Sequence, residues 1–151
     1  MKLEMKKYRI INYISVIALS ISIISSALFY SQLPDQIPVH FSAEGQADEY
    51  AQKSNLWVIP LVQFLLCYGI CQLGKYLKLV NNKKTNKDLI VAQKVSKILL
   101  LLISLSFSYI NVQVILTAFK KSQGLGSWFI FVFMFSMIFL PMLAFRDTRK
   151  H

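Results

Sequence analysis

The sequence predicts an all-α membrane protein: four transmembrane helices, both termini cytoplasmic, and a structured extracytoplasmic loop between the first two helices. Three observations lead there. Of 151 residues, 55% are hydrophobic, and they gather into blocks where a soluble core would interleave them with polar residues. The 17 Lys and Arg, against 7 Asp and Glu, crowd the ends of those blocks. That pattern sets membrane topology and meets anionic headgroups, so the net charge of +10 is not read as a nucleic-acid footprint. Finally, residues 33–53 are the only sizeable segment that combines prolines, a glycine, several acids and a histidine. The whole chain, 1–151, is read as a single integral membrane domain.

The chain opens on a basic flank, Lys2, Lys6, Lys7 and Arg9 against Glu4. No charge follows until Asp35, and a helix over about residues 10–31, at about 1.5 Å per residue, crosses a hydrocarbon core of about 30 Å. A basic start before an apolar run also fits a cleaved signal peptide, with Ser25-Ser26-Ala27 as the small-residue site. The run is longer than a signal's apolar region and more apolar runs follow, so a retained anchor is expected. Pro34 and Pro38 end this helix, because each lacks a backbone donor and biases its predecessor away from helical dihedrals.

The loop, residues 33–54, has few accessible conformations. Pro34 and Pro38 bracket Asp35 and stiffen the exit from the helix. Val39-His40-Phe41 and Ala47-Asp48-Glu49-Tyr50 flank Ser42-Ala43-Glu44-Gly45, where Gly45 supplies a positive φ, so a hairpin or compact loop is predicted. Phe41 and Tyr50 are then expected to fold back onto the helix ends, making a rigid cap.

A second helix is predicted over 55–74, with Trp57 at headgroup depth and Pro60 near its first turn, where a missing donor costs little. Residues 75–97 form a basic loop, with Lys75, Lys78, Lys83, Lys84, Lys87, Lys94 and Lys97 opposed only by Asp88. The third helix, 98–119, a short link containing Lys120, Lys121, Gly124 and Gly126, and a Phe-rich fourth helix, 127–145, complete the chain before the basic tail. The N-terminus, the lysine loop and the tail hold nearly all the basic residues. By the positive-inside rule they are cytoplasmic and the first and third links lie outside.

Helix faces are legible from spacing. Gln63, Cys67, Cys71 and Gly74 share one face of the second helix, Ser104, Ser108 and Asn111 one face of the third, and Ser15, Ser22 and Ser26 one face of the first. These stripes are read as contact faces, where small and hydroxyl-bearing residues let helices approach and hydrogen-bond in lipid. Cys67 and Cys71 are read as packing residues, since four-residue spacing within an apolar run is not a redox motif. No Asp, Glu, Lys, Arg or His stands in the middle of a run, which argues against an ion-coupled transporter. No zincin helix, nucleophile elbow or phosphate-cradling glycine loop is present, so an enzyme is not expected.

Asp35, His40 and Asp48 are the candidate ligand- or partner-binding residues. Together they offer one nitrogen and two carboxylates. Spacings of five and eight in a loop do not fix a coordination geometry and no fourth ligand stands out, so neither a metal nor another cofactor is expected. His40 is read as bonding an acid and ordering the loop. Pro34, Pro38, Phe41, Gly45 and Lys53 are read as the structural motif.

The run Leu33-Pro34-Asp35-Gln36-Ile37-Pro38-Val39-His40-Phe41, followed by Gly45, Asp48 and Lys53, resembles the signature of the membrane family called domain of unknown function 1648. That domain forms the front part of bacterial SdpI-type immunity proteins, which protect a producing cell from a membrane-active peptide toxin. The resemblance covers the first helix, the loop and the start of the second helix, while the later spans match only as generic membrane helices. It implies a multi-pass protein of the bacterial cytoplasmic membrane, of binding or sensing type, whose partner is a peptide toxin. It also implies that the lysine loop could hold a cytoplasmic regulator, although topology setting and contact with anionic lipid explain that loop more simply. An accessory or assembly subunit of a larger membrane complex is the alternative reading.

Overall fold

The computed structural model describes the backbone of residues 2–80 and 86–149 and the side chains of residues 9–76 and 91–143. Four helices carry the fold: α1 (Lys2–Phe29), α2 (Val58–Val80), α3 (Asn86–Ala118) and α4 (Ser127–Arg149). Two strands, β1 (Gln36–Phe41) and β2 (Ala47–Gln52), pair as an antiparallel hairpin between α1 and α2. Single 3-10 turns, Tyr30–Gln32 and Lys53–Trp57, join hairpin to helices. Three helices are long and apolar enough to cross a membrane, within 9–32, 53–76 and 91–118. In α4 the apolar part of the described residues is shorter, Ser127–Leu143. Pro141 lies within it and leaves one carbonyl of the preceding turn without its helical donor.

Helix boundaries differ from those predicted at the basic end. The segment read as a basic loop, 75–97, is helical on both sides: α2 continues to Val80 and α3 begins at Asn86, with 81–85 outside the described residues. Hydropathy marks where a span meets the headgroups. A helix ends only where its backbone bonding is interrupted, and Lys, Leu, Gln and Ala sustain it into water. At the other end α1 yields to a 3-10 turn at Tyr30, just before the Pro34 region, and α2 begins at Val58 after the turn that carries Trp57.

The bundle is centred on α3, which packs extensively on α1 and on α2 and, to a lesser degree, on α4. In turn, α1 and α2 touch each other only sparingly. The predicted stripes of α1 and α3 meet inside this arrangement, and of the α2 stripe Gln63 joins them, whereas Gly74 has no neighbour within 4 Å of where a Cβ would stand. Ser22 Oγ donates to Gln63 Oε1 at 2.7 Å. Gln63 Nε2 in turn donates to Ser104 O at 3.0 Å and to Ser108 Oγ at 3.1 Å. Ser108 Oγ donates to Ala18 O at 2.6 Å, Ser104 Oγ to Ser15 Oγ at 3.1 Å, and Asn111 Nδ2 to Ser26 Oγ at 3.0 Å. Ser22, Ser26, Gln63, Ser104 and Asn111 are fully buried, so each bond replaces one that lipid has no means to supply. Cys67 and Cys71 lie on the same face of α2 but remain partly exposed free thiols outside this network.

Candidate functional site

The hairpin is seated on the bundle by an apolar plug. Leu33, Ile37 and Leu56 are buried against Val114 and Ile115 of α3, with Tyr30, Phe41, Ile59 and Phe119 around them. Burying a side chain such as Ile37 is worth about 2 kcal/mol, which holds the hairpin down on α3. Phe41 therefore folds back as predicted. Tyr50 does not: it stays 52% exposed. The two-residue period of a strand sends neighbours to opposite faces, and Ala51, paired with the buried Ile37, takes the inward one.

At the base of the hairpin the two chain ends are clamped. Lys53 N–H donates to Asp35 O at 2.9 Å, and Lys53 Nζ meets Asp35 Oδ1 at 3.2 Å. The same ammonium lies 5.9 Å from the centre of the Tyr30 ring, which is tilted against Trp57. Pro34 and Pro38 stiffen this exit, and Pro38 is among the fully buried side chains.

At the far end the strands are irregular. Register runs regularly from Gln36↔Gln52 to Pro38↔Tyr50 and then shifts twice, giving His40↔Glu49 and Phe41↔Ala47. These irregularities bring His40 beside Asp48, with Nδ1 to Oδ1 at 2.6 Å on exposed side chains. The sequence reading of His40 as bonding an acid is thus realised with Asp48. Asp35 sits with Lys53 roughly 15 Å away along the strand. The three candidate residues therefore divide between two clamps, one at each end of the hairpin. Among the described residues no three His, Cys, Asp or Glu side chains converge in a metal-holding group.

The turn itself is held by backbone. Gly45 N–H donates to Ser42 O and Ser42 N–H to Gln46 O, both at 2.8 Å, and Ser42 Oγ donates to Glu44 Oε2 at 2.9 Å. Gly45 has φ +79°, the left-handed region that favours glycine.

One contact had no counterpart in the sequence reading. Leu125 N–H, in the link between α3 and α4, donates to Gly45 O at 2.8 Å, and Gln46 bridges to Gly124. Gly124 and Gly126 also have positive φ, 139° and 74°. A Cβ on Gly124 would collide with Gly45 O. Tyr109 of α3 supports the link from beneath: its hydroxyl donates to Leu125 O at 2.9 Å and its ring packs 4.5 Å from that of Phe129. The Gly-Leu-Gly spelling of 124–126 was the available signal, but nothing in it names Gly45 as partner. The result is a cross-braced cap, outside the apolar spans 9–32 and 53–76, carrying Asp35, Glu44, Asp48 and Glu49 on a chain of net charge +10.

Comparison with known proteins places the specific part of the chain in the same stretch. Residues 17–64 match the family model "Domain of unknown function (DUF1648)", bearing out the resemblance read from Leu33 to Lys53. The matched segment is the second half of α1, the hairpin and the start of α2. An uncharacterized protein of Archaeoglobus fulgidus is 35% identical over 49 residues, 32% of this chain and 27% of that protein. The alignment thus spans about a quarter of that relative's length. No solved structure matches.

Proposed function

We propose that this chain is a multi-pass protein of the prokaryotic cell membrane that recognises a cationic amphipathic peptide at its hairpin cap, with immunity against a membrane-active peptide toxin as the concrete form. The carrying observation is the rigid, acidic cap on an otherwise strongly basic protein. A cap clamped at Asp35–Lys53, at His40–Asp48 and at the Gly45–Leu125 bond loses little entropy on binding, and its charge opposes that of the ligand. In this reading the hairpin and the 120–126 link face outward. Both termini and the basic ends of α2 and α3 face the cytoplasm, where they meet anionic headgroups and offer the surface on which a regulator would dock.

The experiment is survival of a sensitive bacterium expressing the chain, challenged with a panel of membrane-active peptides, with Asp35→Ala and His40→Ala beside the wild type. Protection that disappears in the loop variants at unchanged expression supports immunity through the cap. Protection against none of the panel peptides counts against it.

One observation favours a second reading. On α4, Phe131, Met134, Phe135 and Ile138 are exposed, and its main packing partner is α3. A helix so presented suits an accessory subunit that leans on another membrane protein. Photocrosslinking from Phe135 in membranes tests this, since a single discrete adduct would support the accessory role and lipid adducts alone would oppose it.

A further inference from the structure

The two edges of the hairpin are unlike. Lys53 N–H bonds to Asp35 O, and the pairs 36↔52, 37↔51 and 38↔50 follow in step. In an antiparallel ladder, residues 51 and 53 therefore turn their backbone groups toward β1, while Tyr50 and Gln52 turn theirs away. On β1 the same phase points Gln36 and Pro38 outward. Pro38 is buried and has no N–H, and β1 lies against α3, so that edge is closed to pairing.

Among the described residues, the outward edge of β2 is held only at its ends. Leu125 N–H takes Gly45 O at the turn, and Asn55 Nδ2 takes Gln52 O at the base, 3.0 Å away. Between them, the N–H and C=O of Tyr50 and the N–H of Gln52 have no partner among the described residues. Asp48, Glu49, Tyr50 and Gln52 are all exposed there. An exposed edge with free backbone groups is a template for another strand.

We propose that the Tyr50–Gln52 edge of β2 binds an extended, cationic stretch of peptide by strand addition. This deepens the peptide-recognition reading above and rests on it. Charge selects the occupant. Asp48, bonded to His40, and Glu49 lead into the free groups, and the one lysine beside them, Lys53, is already bonded to Asp35. A second copy meeting this edge about a two-fold axis at Tyr50 would set Asp48 against Gln52 and Glu49 against Ala51, so the acids would gain no opposite charge. An incoming strand with Lys or Arg at alternate positions meets them with opposite sign. The exposed ring of Tyr50 then covers an apolar side chain between.

The test uses the full chain in zwitterionic lipid nanodiscs and, as probe, a short peptide alternating Lys and Val. Two N-methylated forms accompany it, one blocked at the Lys amides and one at the Val amides. The wild type is expected to bind the unmodified peptide, and one of the two methylated forms is expected to lose about tenfold in affinity or more while the other does not. Tyr50→Pro removes the outward N–H opposite Pro38 and is expected to show the same loss, with Tyr50→Phe unchanged. If both methylated forms and Tyr50→Pro bind like their parents, strand addition is overturned. Loss of binding in Asp48→Asn with Glu49→Gln then keeps charge recognition by the cap, whereas unchanged binding removes that reading as well. Failure of the wild type to bind the unmodified peptide overturns the proposal. So does a concentration-dependent dimer that Tyr50→Pro abolishes, which would assign the edge to a second copy.

Discussion

Gly45 in the hairpin turn and Gly126 in the α3–α4 link meet backbone to backbone, so closely that a Cβ on Gly45 would stand 2.7 Å from both the amide nitrogen and the carbonyl carbon of Gly126. The obstacle is main chain, which does not swing aside as a flexible side chain does. Two links far apart in sequence are thereby locked at the same end of the bundle.

Gly45→Val is expected to destabilise the cap by about 1–3 kcal/mol through its positive φ alone, with the clash added. Because the apolar helices are untouched, membrane insertion should be retained. Limited proteolysis of reconstituted protein checks this. The expected outcome is new cleavage within 42–46 and 122–126 with intact spans, and a variant that fails to insert would contradict it.

Gln63→Leu removes three buried bonds, to Ser22, Ser104 and Ser108. At about 0.6 kcal/mol for each interhelical bond in a membrane, the loss is about 2 kcal/mol. Cys67→Ala, one turn along the same face but outside the network, should change stability by less than about 0.5 kcal/mol. Denaturation in mixed micelles reads both, and equal effects would refute the assignment of Gln63 as the link between helices.

Asp35→Asn is expected to leave stability within about 0.5 kcal/mol, because the Asp35 carboxylate is 96% exposed and such ion pairs are weak. The backbone bond from Lys53 N–H to Asp35 O survives the change. A loss of peptide protection in this variant would accordingly report recognition, whereas a large drop in melting temperature would show that the pair is structural.

Topology is tested by thiol labelling in intact cells. A cysteine at Glu44 should react with an impermeant reagent and one at Asn82, outside the described residues, should not. The reverse pattern would invert the assignment of faces.

Much of this architecture was legible in order of locality. Pro34, Pro38 and Gly45 act on their own neighbours' dihedrals, so the hairpin was readable. The Ser15–Ser22–Ser26 and Ser104–Ser108–Asn111 stripes follow from helical period, so the contact faces were readable too. The Gly45–Gly124–Gly126 clasp was not, because it depends on which link lies beside which at the bundle end. Helix ends at the basic face were missed for a different reason: apolarity reports solvent, and α2 and α3 continue as helices after the solvent changes. Tyr50 was misplaced because its neighbour Ala51, and not Tyr50 itself, shares a face with Ile37.

The α3-centred packing also bears on how the chain is made. Synthesis delivers α1 and α2 to the membrane before α3 exists. At that moment Ser22 and Gln63 can bond each other, but the Gln63 amide donors still lack Ser104 and Ser108, and Asn111 is not yet there for Ser26. The nascent pair therefore holds unpaired polar groups against lipid until the third span arrives. Biogenesis thus gains a checkpoint: a ribosome stalled before α3 should leave α1 and α2 separable, and the same nascent chain released after α3 should not.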